Sequence, residues 1–359
     1  MPYNMGMHEV VRGCLPASKF SPLENLEILT RERIFTPIIG EFYSQFIRNR
    51  TNQTLVEILS QVPAKYHPPI LHTLTTHVTK EKPIFVYGIG KTFADEDENK
   101  VRFVAASTDL LWCLSLIVDD IVDEDTQRAN RETTWVIYGK EESHKAAQVT
   151  YEALQDLTEK TLSPQMRMLL TECVQDGIQS LNEPLIRRLG TSIGDILANI
   201  DRRARFHCEY PIKTLLPSRT TEIASLAIEG LLSVNRAGQI LNDTKDLIPS
   251  EIYGRGVFSD LKSGTATTPL IALYQETTRE EQQLLEHCFG NPSLVTKNIN
   301  TLDKTITLRL PRERIHSLVL TNYEKFLDLM KTTISPDYFP FCQKWVDYKL
   351  KQANQLLLG

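Results

Sequence analysis

Apolar residues recur at helical spacing along most of the chain. Segment 31–48 places Ile34, Ile38, Ile39, Phe42 and Phe46 on one stripe, with Pro37 interrupting its start. The same period predicts helices over about 54–62, 67–79, 83–94, 100–123, 143–162 and 166–189. More follow over about 191–207, 219–247, 267–275, 279–288, 293–308, 312–333 and 339–356. Alternating strands closed by Asn-Gly or Asp-Gly turns are absent. The breaks are short, at Pro63, Pro164, Pro217, Pro249 and Gly290-Asn291-Pro292, and no Gly/Ser linker divides the chain. The pattern predicts one all-α domain over residues 22–359, a bundle of roughly 12–14 helices around a central cavity, behind an N-terminal extension at 1–21.

Two of these helices differ from the rest. LLWCLSLIV (110–118) is apolar on every face except Ser115, which suits the middle of a bundle, and it runs directly into DDIVDED (119–125). IASLAIEGLLSVNRAGQIL (223–241) is mostly apolar and runs into NDTKD (242–246), with Pro249 as its stop. Asp119 and Asp123 stand four apart and share a helix face, as do Asn242 and Asp246. Carboxylates this close repel, and partial burial raises the cost of ionising both. A divalent cation removes that penalty, and Mg²⁺ takes one or two carboxylates together with phosphate oxygens and water. Asp119, Asp120 and Asp123 opposite Asn242, Asp243 and Asp246 would hold Mg²⁺ ions with a diphosphate between them. An acidic run alone is as often a solvated helix end; its repetition behind a second apolar helix favours the metal reading.

Composition narrows the class further. The chain has 359 residues, 41% hydrophobic and 24% charged, which excludes disorder as its main state. Forty Lys and Arg against 45 Asp and Glu leave a net charge of -5, without the basic excess of a nucleic-acid-wrapping protein. Six cysteines (14, 113, 173, 208, 288 and 342) show no C-x-x-C spacing and read as ordinary intracellular thiols. The N-terminus has no signal-peptide core, and the near-apolar run Leu110–Val118 is short for a bilayer, so a cytoplasmic protein without a transmembrane segment is expected. The two adjacent Asn-x-Thr sequons at Asn49 and Asn52 are then chance matches. GIGKT (88–92) is no P-loop, because Phe85 stands where the first glycine belongs.

LSLIVDDIVDEDTQR (114–128) resembles the first aspartate-rich motif of the trans-isoprenyl diphosphate synthases, the polyprenyl synthetase family. EYPIKT (209–214) is similar to that family's helical Lys-Thr pair, GQILNDTKD (238–246) to its second aspartate-rich motif, and SDLKSGTATTP (259–269) to its D-L-x-x-G-K-x-T-x-P segment. The resemblance, over roughly residues 80–270, implies an isoprenoid synthase-type fold and three Mg²⁺ ions on the two motifs. It implies that Arg128 and Lys213 bind an allylic diphosphate, that Thr214 and Gln239 act beside them, and that Leu114 and Ser115 floor the substrate pocket. It also implies a homodimer.

The departures lie on the acceptor side. The family's GGKRxRP corresponds to HVTKEKP (77–83), where only Lys80 and Lys82 remain as candidate acceptor-binding cations. The second Arg after the first motif is Ala129, the Lys of the G-K-x-T segment is Thr265, and the second motif opens with Asn242. Each lost charge-assisted bond to a diphosphate is worth on the order of 1.5–3 kcal/mol. The expected reaction is therefore Mg²⁺-dependent ionisation of an allylic prenyl diphosphate, with neither ring of Phe nor Tyr at 114 or 115 to shorten a 15- to 20-carbon donor. Transfer follows to isopentenyl diphosphate or to a different acceptor such as an aromatic ring. The alternatives are a terpene cyclase using the same diphosphate and a non-catalytic subunit of a prenyl synthase. Arg202, Arg203 and Arg205 read as a solvated helix face, His207 as a packed histidine, and Trp112 and Trp135 as core aromatics, Trp135 with some claim on the pocket.

Overall fold

The computed structural model describes residues 48–76, 81–93, 97–128, 131–216, 221–248 and 258–358. The extension at 1–21 and the stripe through Phe46 lie outside the described residues. Sixteen α-helices and one two-stranded ribbon are present among the described residues. In chain order the first helices are α1 (Arg48–Leu59), α2 (His67–Thr76), α3 (Glu81–Phe93) and α4 (Glu98–Val122). The ribbon pairs β1 (Gln127–Arg128) with β2 (Arg131–Glu132), antiparallel. There follow α5 (Thr134–Tyr138), α6 (Lys140–Thr161), α7 (Pro164–Ser180), α8 (Ile193–Leu215) and α9 (Thr221–Leu247). The C-terminal part holds α10 (Ser259–Ser263), α11 (Thr268–Glu276), α12 (Arg279–Cys288), α13 (Pro292–Lys297), α14 (Ile299–Arg309), α15 (Arg312–Thr333) and α16 (Phe339–Leu357).

The all-α expectation holds, and the count exceeds it because α5, α10 and α13 are single pieces of five or six residues. Several spans differ: the stretch 54–62 is Arg48–Leu59, and 293–308 breaks at Asn298 into two helices. The stretch 166–189 stops at Ser180 and resumes as a 3₁₀ turn, Pro184–Arg187. The stretch 191–207 continues to Leu215 with Pro211 inside the helix. Proline cannot donate to the carbonyl four residues back, so the helix gives up the bond to His207 there and is kept by its packing instead.

Local chemistry starts the main helices. Asp97 caps α4 by accepting from the amides of Asn99 and Lys100, at 3.0 and 3.1 Å. Ser163 caps α7 with Pro164 at its first position, Ser192 caps α8, and Thr278 with Glu281 forms a capping box on α12.

Helix α4 is the centre. Fifteen of its 25 residues are buried, between α3, α1, α6 and α8. By length and average hydropathy it could cross a membrane, which the shorter run at 110–118 did not suggest, but 78% of that window is buried by the other helices. Its two flanks serve two cores. Val101, Val104 and Ala105 join the large cluster with α8, α9 and α15, while Leu110, Leu111 and Leu114 join a second one with α1 and α6. Phe85 anchors the large cluster, with ring centroids 5.1 Å from Phe326, 5.4 Å from Phe341 and 5.6 Å from Trp345. The five described cysteines are free and buried; Cys14 lies outside the described residues.

Replacing Phe85 by Ala is expected to cost about 3–5 kcal/mol, because three aromatic neighbours held by different helices cannot collapse into the void together. Urea unfolding should show a lower midpoint with an unchanged slope.

Candidate active site

Three contacts set the level of every site residue. Arg236 Nε of α9 donates to Asp201 of α8 at 2.6 Å, and His207 Nε2 of α8 lies 3.1 Å from Asn235 Oδ1 of α9. Residue numbers rise on one helix as they fall on the other, so α8 and α9 are antiparallel. The rings of Trp112 on α4 and His207 lie 5.2 Å apart, and Tyr210, three residues on, lies by Ser107, five back, so α4 and α8 are antiparallel too. Asp119, seven residues beyond Trp112, is then level with Ile200. Asp243, seven beyond Arg236 and eight beyond Asn235, is level with residues 194–199. Both acidic motifs therefore reach the same end of the bundle, on helices that flank α8.

The motifs do not lie on outer surfaces. Asp120 is 1% exposed, Asp243 6% and Asp246 3%, whereas Asp119, Asp123 and Asn242 reach solvent. The first motif is clasped by the ribbon. Arg128 Nε and Nη2 donate to Asp120 Oδ1 at 2.9 and 2.6 Å, and Nη2 also to Asp119 Oδ2 at 3.2 Å. Trp135 Nε1 and Thr133 Oγ1 donate to the Asp125 carbonyl at 2.8 and 2.7 Å, so Trp135 pins this loop rather than lining a pocket. Asp120 Oδ2 is buried without a hydrogen-bond partner. Burial pushes the Asp120 carboxyl up to about 6 in spite of Arg128. An orphaned, half-neutralised carboxylate oxygen is what a bound cation would satisfy. No three acidic, imidazole or thiol groups converge to hold a metal by themselves among the described residues, so such a cation would need phosphate oxygens or water as well.

In the second motif Gln239 Nε2 donates to Asp243 Oδ1 at 2.7 Å, so Gln239 orients a carboxylate. Asp246 departs from the expected metal role. Its Oδ1 accepts from the Ser259 amide at 2.8 Å and from the Ser259 hydroxyl, and its Oδ2 from the Asp260 amide at 3.1 Å. Both oxygens cap α10, which leaves Asn242 and Asp243 to face a ligand.

The Lys-Thr pair needs a larger correction. Lys213 lies six residues beyond His207, toward the far end of α8, level with residues 224–229 of α9. That is 14 to 19 helical residues from Asp243, roughly 20–30 Å along the axis. Lys213 instead pairs with Glu209 at 2.5 Å, and the buried Thr214 hydroxyl donates to the Tyr210 carbonyl of its own helix at 2.7 Å. Neither can touch a diphosphate held by the acidic motifs. The residue that spacing missed is Arg203. It stands four before His207, on the same face and one turn nearer the carboxylates. Arg202 is engaged by Asp176 and Glu183, and Arg205 by Asp176, Glu172 and Glu209. Arg203 has no acidic partner among the described residues, and its Nε is buried without a hydrogen bond. Its four-residue offset from a histidine next to Trp112 was the available signal, hidden inside a run of three arginines.

Of the remaining expectations, Lys80 lies outside the described residues. Lys82 sits deeper, its Nζ 3.5 Å from the Trp112 ring centroid, and burial lowers its pKa. Ser115 is half-buried and donates to the Trp112 carbonyl at 2.9 Å, while Leu114 packs into the second core. Only Ser115 of that pair lies on the Trp112 side of α4.

The polyprenyl synthetase family profile matches residues 51–183, which include the first acidic motif. Over that segment the chain is similar to this family. It is 21% identical to a geranylgeranyl diphosphate synthase of Saccharolobus solfataricus over 66% of this chain and 74% of that one. It is 23% identical to the prenyltransferase idtC of Claviceps paspali over 58% of each. Among solved structures, the polyprenyl synthase of Caulobacter crescentus, complexed with calcium and isoprenyl diphosphate, superposes with a TM-score of 0.72 over 87% of this chain and 96% of that chain, at 15% identity. The family's fold thus extends through α8 and α9, well past the matched profile.

Arg203→Gln is expected to weaken inorganic diphosphate binding in the presence of Mg²⁺ by about tenfold or more, the loss of one charge-assisted contact, whereas Lys213→Gln leaves it unchanged. Isothermal titration calorimetry on both variants distinguishes the two cations.

Proposed function

We propose that the chain is a divalent-metal-dependent prenyltransferase that ionises an allylic prenyl diphosphate and transfers the prenyl group to a carbon nucleophile. The observation that carries this reading is the convergence at one bundle end of Asp119, Asp120, Asn242 and Asp243 with two cations, Arg128 and Arg203. A metal bound there, Mg²⁺ in this reading, would supply Lewis-acid stabilisation of the leaving diphosphate. Arg128 holds the first motif in place before substrate arrives, and its guanidinium can turn to diphosphate oxygens once a cation neutralises Asp119 and Asp120. Arg203 places a positive charge one turn below, where the bridging oxygen takes up charge as the carbon–oxygen bond stretches. Gln239 keeps Asp243 facing the ligand. The apolar helices α4 and α9 below this ring of charge keep water from the allylic cation.

The acceptor is the finer question. Ala129 removes one acceptor-side cation, and Lys82 rests on an indole. Those features favour an acceptor other than isopentenyl diphosphate, such as an aromatic ring.

Incubation with farnesyl or geranylgeranyl diphosphate and Mg²⁺, each with isopentenyl diphosphate, with indole or phenol, and with no acceptor, tests the reading. Diphosphate release with a prenylated aromatic product is expected, and Asp119→Ala should reduce release by roughly 10²–10³-fold. A cyclic hydrocarbon formed without acceptor would assign cyclisation instead. Absence of diphosphate release from every donor would leave the chain as a partner subunit.

Metal affinity should also fall in acid. The Asp120 carboxyl, raised to about 6 by burial, must lose its proton to face a cation, so half-saturating Mg²⁺ should rise as pH drops from 7.5 through 6. Asp120→Asn should flatten that dependence in a calorimetric titration.

A further inference from the structure

Below the ring of carboxylates the bundle interior holds a second polar group of residues that the proposed ionisation does not use. It is contributed by four helices: Lys82 from α3, Trp112 from α4, His207 from α8 and Asn235 from α9. His207 is 5% exposed and lies edge-on to both Trp112, at 5.2 Å, and Phe206, at 4.6 Å. Its Nε2 donates to Asn235 Oδ1 at 3.1 Å, which places the ring hydrogen on Nε2 and leaves the lone pair on Nδ1. That Nδ1 is buried with no hydrogen-bond partner. A buried imidazole with one nitrogen fixed by a carboxamide and the other left open is a costly arrangement for a packing residue. It is the arrangement of a base whose tautomer is set in advance.

We infer that His207 is the proton acceptor of the transfer step. The inference rests on the prenyltransferase reading above. The allylic carbon–oxygen bond breaks and its electron pair leaves on the diphosphate. A π pair of the acceptor forms the new carbon–carbon bond to the allylic carbon. The C–H bond next to the resulting cation breaks, its electrons restore the double bond or the aromatic ring, and the proton goes to His207 Nδ1. The imidazolium returns that proton to solvent when product leaves. His207 lies seven to eight helical residues below Asp119 and Asp243, roughly 10–12 Å along the axis. That depth is below the diphosphate and beside the carbon chain, where the departing proton is and where the diphosphate oxygens are not.

The surroundings suit the role. Burial, and next the Lys82 ammonium, hold His207 well below the usual histidine range, so the ring enters the reaction neutral. A strong base is unnecessary, because a carbocation is a far stronger acid than imidazolium. Besides Lys82, the titratable neighbours are Cys208 on its own helix and, around Lys82, Glu81 of α3 and Lys349 of α16; α4 and α9 present Trp112 and Asn235.

The test separates ionisation from proton loss. The full chain is assayed with the donor and probe acceptor that give wild-type product, and both diphosphate release and carbon–carbon product are counted. His207→Gln is expected to lower carbon–carbon product per diphosphate released about 100-fold, the balance appearing as prenyl alcohol from water capture. Product formation by His207→Ala should recover with added imidazole. Equal loss of release and product would make His207 a packing residue and overturn the inference, as would product at the wild-type level. Should the His207 variants fail to fold, the pH profile decides. Product per diphosphate released should stay constant down to pH 6.5 in the wild type, and Lys82→Met, by removing the neighbouring positive charge, should raise the His207 pKa and move the acid fall to higher pH. A profile that Lys82→Met does not move overturns the inference. Wild-type protein that releases no diphosphate overturns the prenyltransferase reading first, and this inference with it.

Discussion

The antiparallel register of α8 with both of its neighbours is the constraint on which the site depends. Helices α4 and α9 never need to touch along their acidic ends; each is levelled against the same helix, by Trp112 and His207 on one side and by Asp201–Arg236 and His207–Asn235 on the other. A slip of one turn on either side would move a carboxylate set by about 5.4 Å. That exceeds the tolerance of any metal bridging two motifs. The contacts that fix the level are specific ones, a ring edge and two side-chain hydrogen bonds, where apolar packing alone would accept several registers. His207 takes part on both sides, so the residue proposed to accept a proton also helps to align the two acidic motifs.

Charge in the interior is arranged by exclusion. Arg202, Arg205 and Arg236 are saturated by acids of α7, α8 and α9, and these pairs tie helices together. Arg203, partly shielded from water, has no acidic partner among the described residues, whereas Lys82, on the Trp112 ring, has Glu81 as its acidic neighbour. An unpaired cation in such a place costs free energy in the empty protein, and an arriving anion recovers part of that cost. Asp120 shows the same logic with opposite sign: its buried oxygen has no partner, and burial pushes its carboxyl up to about 6. Under the proposed reading, a metal ion and a diphosphate would satisfy both groups.

Much of this was legible in the sequence. Helical period and the scarcity of strand signals gave the fold class, because a 3.6-residue stripe needs only local residues to be recognised. The two acidic motifs were legible for the same reason, each being contiguous and each ending an apolar helix. What could not be read was level. The pair Lys213-Thr214 matched a family pattern in composition, and only the continuation of α8 through Pro211 puts it at the wrong end. Asp246 matched in spacing, and only the fold of α10 back onto α9 shows its oxygens already spent on the Ser259 and Asp260 amides. Arg203 was masked by two neighbours of identical type that share Asp176, more than 25 residues away in sequence on a different helix.

The acceptor side follows from the same arithmetic. At the level of Trp112, a bidentate cation cluster would be needed to receive a second diphosphate, and among the described residues Lys82 offers an ammonium lying on an indole face. A cation on an aromatic ring is stabilised by the ring quadrupole and is a poor fork for phosphate oxygens. Beside it stand an imidazole with an open nitrogen and a carboxamide, groups that bind neutral donors or receive protons. Around Gly238, one residue before Gln239, an added Cβ would meet no atom within 4 Å, so α9 leaves space next to its polar stripe. Under the proposed reaction, these features together favour a flat, weakly charged nucleophile over a diphosphate. In that reading the first acidic motif with Arg128 is retained for ionisation, while the acceptor wall differs with the nucleophile it receives.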